Sequence, residues 1–189
     1  MHATLVSTLT VAIAEIGDKT QFMALLLASR FRQPLPIIAG IIVATLLNHG
    51  LAGLLGGIAA AAVDPTMLRW LLGLVFIAMA GWALVPDQFD ESAIGKHAAG
   101  GAFVSSLICF FLAEMGDKTQ IATAALAAHY GTMLPVILGT TIGLLLVDVP
   151  TVLFGHHFGN RLNPRWVRYI ASAIFLIFGL LAFVPADRF

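Results

Sequence analysis

From Pro36 to Ala62 the chain runs for 27 residues, PIIAGIIVATLLNHGLAGLLGGIAAAA, without one Asp, Glu, Lys or Arg. A bilayer core about 30 Å thick takes roughly 20 apolar residues in helix, so this stretch is long enough to cross it. Five more segments have the same character, at about 3–29, 68–86, 100–128, 133–159 and 166–185. Lipid offers no partner to a bare peptide group, so helix is the state expected of each. Pro34 and Pro36, Pro65, Pro86, Pro135, Pro164 and Pro185 fall at segment ends, where a missing backbone donor costs least. The whole chain is 59% hydrophobic and 11% charged, against about 25% charged in a soluble domain. The expected class is an all-α integral membrane protein with six transmembrane helices. A formal net charge of zero gives no electrostatic case for nucleic acid. Cys109, the single cysteine, excludes an intramolecular disulfide and reads as packing in its apolar run. The N-terminus enters the first segment without a basic region, so no cleavable signal peptide is expected.

The segments repeat. AEIGDKTQ at 14–21 returns as AEMGDKTQ at 113–120, with seven of eight residues identical at an offset of 99. At the same offset Pro36 matches Pro135, Gly40 matches Gly139, Gly56 matches Gly155, Phe76 matches Phe175 and Pro86 matches Pro185. The chain therefore divides into two three-helix units, 1–86 and 100–189, joined by a polar linker at 87–99. Three is odd, so the second unit must enter the membrane from the opposite side, giving inverted-topology repeats about an axis in the membrane plane. The two motifs would then meet near mid-bilayer. Arg30, Arg32, Lys96, Arg161, Arg165 and Arg168 share one face, and Arg69 and Arg188 the other. This bias makes the first face cytoplasmic and leaves both termini outside.

Five acidic residues lie inside apolar segments: Glu15, Asp18, Glu114, Asp117 and Asp148. Each costs a few kcal/mol at mid-membrane even on lenient scales, so a function is the first expectation. On a continuous helix Glu15 and Asp18 share a face, and Lys19 lies four residues from Glu15 and can pair with it. A purely structural reading would keep that pair and let Asp18 cap a broken helix. The doubling argues against it, because a structural pair can be replaced by packed apolar residues with little loss. Gly17 would admit a neighbouring helix closely. The first and fourth segments are about 40 Å long if straight, so they must tilt or break, and the motif glycine is the expected break. Lys19, Thr20 and Gln21, with Lys118, Thr119 and Gln120, would supply further oxygens or hold the carboxylates. Four carboxylates converging on the axis make an all-oxygen site that suits Mg²⁺, Ca²⁺ or Mn²⁺. The two motifs together carry two more negative than positive charges, which one divalent cation or two protons would neutralise.

Two further positions stand beside this set. His49 aligns with Asp148 across the repeat, and Asn48 precedes His49. They read either as polar contacts between helices or as proton-handling groups and outer ligands. Pro150, two residues after Asp148, could kink the fifth segment toward the centre. His156 and His157 read as interfacial residues. Asp87, Asp90 and Glu91 of the linker read as a solvated face that could gather cations at a cytoplasmic entrance.

The doubled E-x-G-D-K-T resembles the signature E-x-G-D-[KR]-[TS] of the cation/proton antiporter family that includes MneA-like bacterial manganese exporters and the Golgi manganese/calcium transporters. Both copies match it fully, and the likeness spans essentially the whole chain. The resemblance implies Glu15, Asp18, Glu114 and Asp117 as cation ligands. It also implies Mn²⁺ export, with Ca²⁺ as an alternative ion, in exchange for protons by alternating access across a bacterial inner membrane. Mn²⁺ is then cargo and no cofactor is expected. The residues alone reach only a hard divalent cation. They leave open an intramembrane aspartyl protease using Asp18 and Asp117 as a dyad, and a passive cation channel. The oligomeric state has no signature in the sequence.

Overall fold

The computed structural model describes residues 1–85, 100–158 and 164–184. The expectations for the linker 87–99, for Pro86, Pro185, Arg161 and Arg188, and for the side chains of His156, His157 and Arg165 lie outside the described residues. The described residues form eight helices: α1 (His2–Glu15), α2 (Lys19–Phe31), α3 (Pro34–Ala62), α4 (Pro65–Trp82), α5 (Gly101–Glu114), α6 (Lys118–Tyr130), α7 (Met133–Phe158) and α8 (Pro164–Ala182). α3, α4 and the Met133–Phe154 part of α7 are long and apolar enough to cross a membrane, and α5 and the Arg168–Ala182 part of α8 are shorter apolar helices.

Local chemistry sets the boundaries. Pro34 and Pro65 occupy the first turns of α3 and α4, where the lost N–H had no partner to lose. Asp64 caps α4 by accepting from Thr66 N at 2.9 Å and Met67 N at 3.2 Å. α2 and α6 both end on a left-handed residue, Arg32 and Gly131, at matched positions. The first and fourth apolar segments are not continuous helices. Each is two helices meeting at the motif, and the expected break at its glycine is where the structure puts it. α7 carries Pro150 within it and leaves helical geometry at Phe154.

The two halves interlock through matched contacts. α1 lies along α7, with Thr4 O only 2.5 Å from where a Cβ of Gly139 would sit and Thr8 O the same distance from that of Gly143. Across the repeat α3 lies along α5, with Phe103 O at 2.6 Å from a Cβ of Gly40. Glycine lets these backbones touch, as small residues do between membrane helices. α4 packs on α8 around Gly73 and Gly179, with Phe76 and Phe175 buried in one core cluster. A second cluster gathers Val11, Met23, Leu27, Ile37, Phe110 and Leu144. Outside these cores large apolar side chains face outward, among them Leu47, Leu51, Leu55 and Ile58 on α3 and Leu74 on α4. An apolar exterior over polar interior groups such as Glu15, Asn48 and Asp148 is the inverse of a soluble protein. The chain is a membrane protein.

Candidate cation site

Each motif folds as a tight turn between two half-helices. Ile16 is extended (φ −61, ψ 119), Gly17 has φ 78, and Asp18 N donates to Glu15 O at 3.0 Å. The second copy repeats this with Met115 (φ −66, ψ 116), Gly116 at φ 75 and Asp117 N to Glu114 O at 3.1 Å. These are type II turns, which require a positive φ at the third residue and therefore favour glycine there. A positive φ thus calls for glycine at both motif positions. A Cβ on Gly116 would meet nothing within 4 Å, so backbone conformation is what selects glycine.

The turn decides where each polar side chain goes. Gln21 Oε1 accepts from Gly17 N at 2.9 Å, and Gln120 Oε1 from Gly116 N at 2.6 Å. Their amide nitrogens reach the opposite repeat: Gln21 to Thr151 Oγ1 at 3.2 Å, Gln120 to Asn48 Oδ1 at 3.2 Å. Thr20 donates to Glu15 Oε1, and Thr119 to Glu114 Oε2 at 2.6 Å. One oxygen of each glutamate is thereby held. The other, Oε2 of Glu15 and Oε1 of Glu114, is buried without a hydrogen-bond partner among the described residues.

The lysines pair across the motifs. Lys19 Nζ lies 2.9 Å from Asp117 Oδ1, and Lys118 Nζ lies 2.5 Å from Asp18 Oδ1. This corrects the expected Glu15–Lys19 pair. The i, i+4 rule holds only along an unbroken helix, and the turn at Gly17 intervenes. Asp18 and Asp117 stand at the N-cap positions of α2 and α6, yet neither side chain caps its helix.

Ligand oxygens of Glu15, Asp18 and Glu114 all lie within 4.8 Å of one another, and all three residues are buried. α1 and α5 end on the two glutamates and α2 and α6 begin four residues later at the same turns, so negative and positive helix ends offset one another there and the carboxylates themselves carry the attraction for a cation. Of the four carboxylates expected as ligands, Asp117 lies outside this closest group. Asp148, also outside it, is fully buried, with neither oxygen hydrogen-bonded among the described residues, and is an electrostatic neighbour of the three. Asn48 bonds Phe111 O at 3.0 Å, a polar contact between helices. His49 is buried with no hydrogen-bond partner on either ring nitrogen among the described residues.

Two participants escaped the sequence reading. Thr151, one turn beyond Asp148, receives Gln21 and itself bonds Val147 O at 2.9 Å. Its only signal was a hydroxyl in register with an intramembrane acid. Arg168, counted above only with the basic residues of one face, also lines a small pocket with Gly17, Asp18 and Lys118.

A helical membrane protein whose broken half-helices bring carboxylates and lysines together in its interior has the makings of an ion carrier. The sequence matches the family described as "Divalent cation/proton antiporter GDT1" over residues 3–91 and 102–188, and the chain belongs to that family. The family is one of transporters, not enzymes. Among its relatives, a protein of Vibrio cholerae serotype O1 named "Putative manganese exporter" is 49% identical over 182 residues, covering 95% of this chain and 90% of the relative. "GDT1-like protein sll0615" of Synechocystis is 28% identical over 213 residues, covering 92% of this chain and 93% of the relative. "GDT1-like protein 4" of Arabidopsis thaliana is 25% identical over 214 residues, covering 92% of each. No solved structure matches the chain.

Proposed function

We propose that the chain exports Mn²⁺ in exchange for protons, by alternating access across an inner (plasma) membrane, with the cation held between the two motifs. The observation that carries this is the pair of unpartnered glutamate oxygens, on Glu15 and Glu114, buried together beside Asp18. An all-oxygen cluster suits a hard divalent ion. Mn²⁺ is preferred to Ca²⁺ on the strength of the relative named for manganese. Asp117, paired to Lys19, completes the motif set.

The proposed architecture has six crossings in inverted repeats, 1–86 and 100–189, linked through 87–99, with both termini outside. Each of α1–α2 and α5–α6 would make one broken crossing. Its support is the constant offset of 99 between matched helix ends, turns, lysine pairs and glycine contacts. A protease dyad fits poorly, because Asp18 and Asp117 are each paired to a lysine of the other motif.

Unbalanced charge in a low-dielectric site is strongly disfavoured, so the cation and protons alternate as its counter-charge. One Mn²⁺ exchanged for two H⁺ leaves the loaded and unloaded carriers with equal charge, whatever the state of Asp148. The experiment is transport in proteoliposomes containing a metal-sensitive dye. An imposed pH gradient should drive Mn²⁺ uphill, without voltage dependence under a clamped potential, and Glu15→Gln or Glu114→Gln should abolish the flux in inserted protein. Downhill flux insensitive to the pH gradient would make the protein a channel. Near wild-type transport in either variant would remove the glutamates from the site.

A further inference from the structure

Position 148 is where the two halves part chemically. Its counterpart at the offset of 99 is His49, an imidazole in place of a carboxylate. Asp148 is fully buried and both of its oxygens lack hydrogen-bond partners among the described residues. A buried ionisable group in that condition is costly unless something binds it.

The packing of α7 aims this residue at the cluster. Gly139 touches Thr4 and Gly143 touches Thr8, so α1 and α7 run side by side in the same sense. Continuing that register by one turn brings Asp148 within a turn of Glu15. Gln21 bonding Thr151 ties the next turn of α7 to the same motif. The electrostatic neighbours of Asp148 are Glu15, Asp18 and Glu114, the same three residues whose ligand oxygens lie within 4.8 Å of one another. No basic residue is among them. Asp117 is placed differently. Like Asp148 it lies outside the closest group, and its lysine contact at 2.9 Å is matched by that of Asp18 at 2.5 Å, but it is an electrostatic neighbour of Glu114 and not of Glu15, whereas Asp148 is a neighbour of both.

We propose that Asp148 supplies the fourth carboxylate of the cation site in place of Asp117, so that the site is offset from the symmetry of the motifs toward α7. This rests on the divalent-cation reading above and specifies which oxygens meet the ion. Oε2 of Glu15, Oε1 of Glu114, Asp18 and Asp148 contribute four carboxylates, and water completes a six-oxygen shell. Asp117 then acts through Lys19, while Lys118, 2.5 Å from Asp18 Oδ1, gives way to the ion at that carboxylate. The offset also gives the two halves unequal holds on the cation, which identical motifs could not.

The test is calorimetric titration of Mn²⁺ into the purified full chain in detergent, checked for monodispersity. Asp148→Asn and Asp148→Ser should each weaken binding by about tenfold or more, as Glu15→Gln does, while Asp117→Asn weakens it by less than either. Asp148→Glu, which keeps the carboxylate, should recover affinity to within about threefold of wild type. A monodisperse Asp148→Asn or Asp148→Ser protein binding within about twofold of wild type, or an Asp117→Asn protein binding more weakly than both, overturns the proposal and leaves the transport function standing. Wild type that binds no Mn²⁺ overturns the function and this site together.

Discussion

Gly116 has open space where its Cβ would be and a φ of 75, so its value to the fold is conformational. Alanine there fits sterically but resists the left-handed backbone, at a cost of about 1–2 kcal/mol. Gly116→Ala should therefore lower the thermal midpoint modestly in a detergent unfolding assay. It should reduce Mn²⁺ transport far more, because any relaxation of the turn rotates Glu114 relative to Asp117. Transport unchanged in the face of a lowered midpoint would show that the turn serves stability alone. The same residue shows what the sequence could and could not reveal. That the motif gathers charge in the interior and breaks its segment was legible, since charge in an apolar run is expensive and the run is too long for one straight crossing. The partner of Lys19 was not. Spacing along one helix suggested Glu15, while the true partner, Asp117, is 98 residues away, and only the assembled fold brings it near.

At the scale of helices, the site is held in register by contacts well away from it. α7 rides on α1 at Gly139 and Gly143, and Asp148, further along α7, is an electrostatic neighbour of Glu15. A Cβ on Gly143 would stand 2.5 Å from Thr8 O and 3.0 Å from Ala12 N, backbone atoms that can yield only if a helix shifts. Gly143→Val should cost about 1–3 kcal/mol as an overpacked contact. It should also weaken Mn²⁺ binding, although the residue touches no carboxylate. Binding at wild-type strength in a destabilised Gly143→Val protein would show that the α1–α7 register does not position the site. The helix inventory was largely legible, because apolar length and proline punctuation are local signals. The position of Asp148 was not, because which helices touch depends on backbone contacts at glycines whose partners lie in the other half of the chain.

The whole molecule is less symmetric than its sequence. A crevice of about 410 Å³ opens between α2, the start of α3 and α7, with Leu25, Ser29 and Thr151 among its walls. In the other half the matching helices are pressed together: Ala124 O occupies the space a Cβ of Gly56 would need, so α6 rests directly on α3. Leu25 and Ser29 of the open side correspond to Ala124 and Ala128 of the closed side at the offset of 99. One side open and its counterpart shut is what a carrier built on repeats needs, since exchanging the two conformations moves access from one face to the other. In a Cys109→Ala background, Leu25→Cys and Ser29→Cys should therefore react with a water-soluble maleimide, while Ala124→Cys and Ala128→Cys stay protected. Mn²⁺ and a pH gradient that drive turnover should slow labelling of the first pair and expose the second. The measurement is the labelling rate at each position, with and without Mn²⁺, in oriented vesicles. Simultaneous, Mn²⁺-independent labelling of both pairs would describe a continuous pore. Labelling of the first pair that never shifts under turnover would make the crevice a fixed feature of the surface with no part in access.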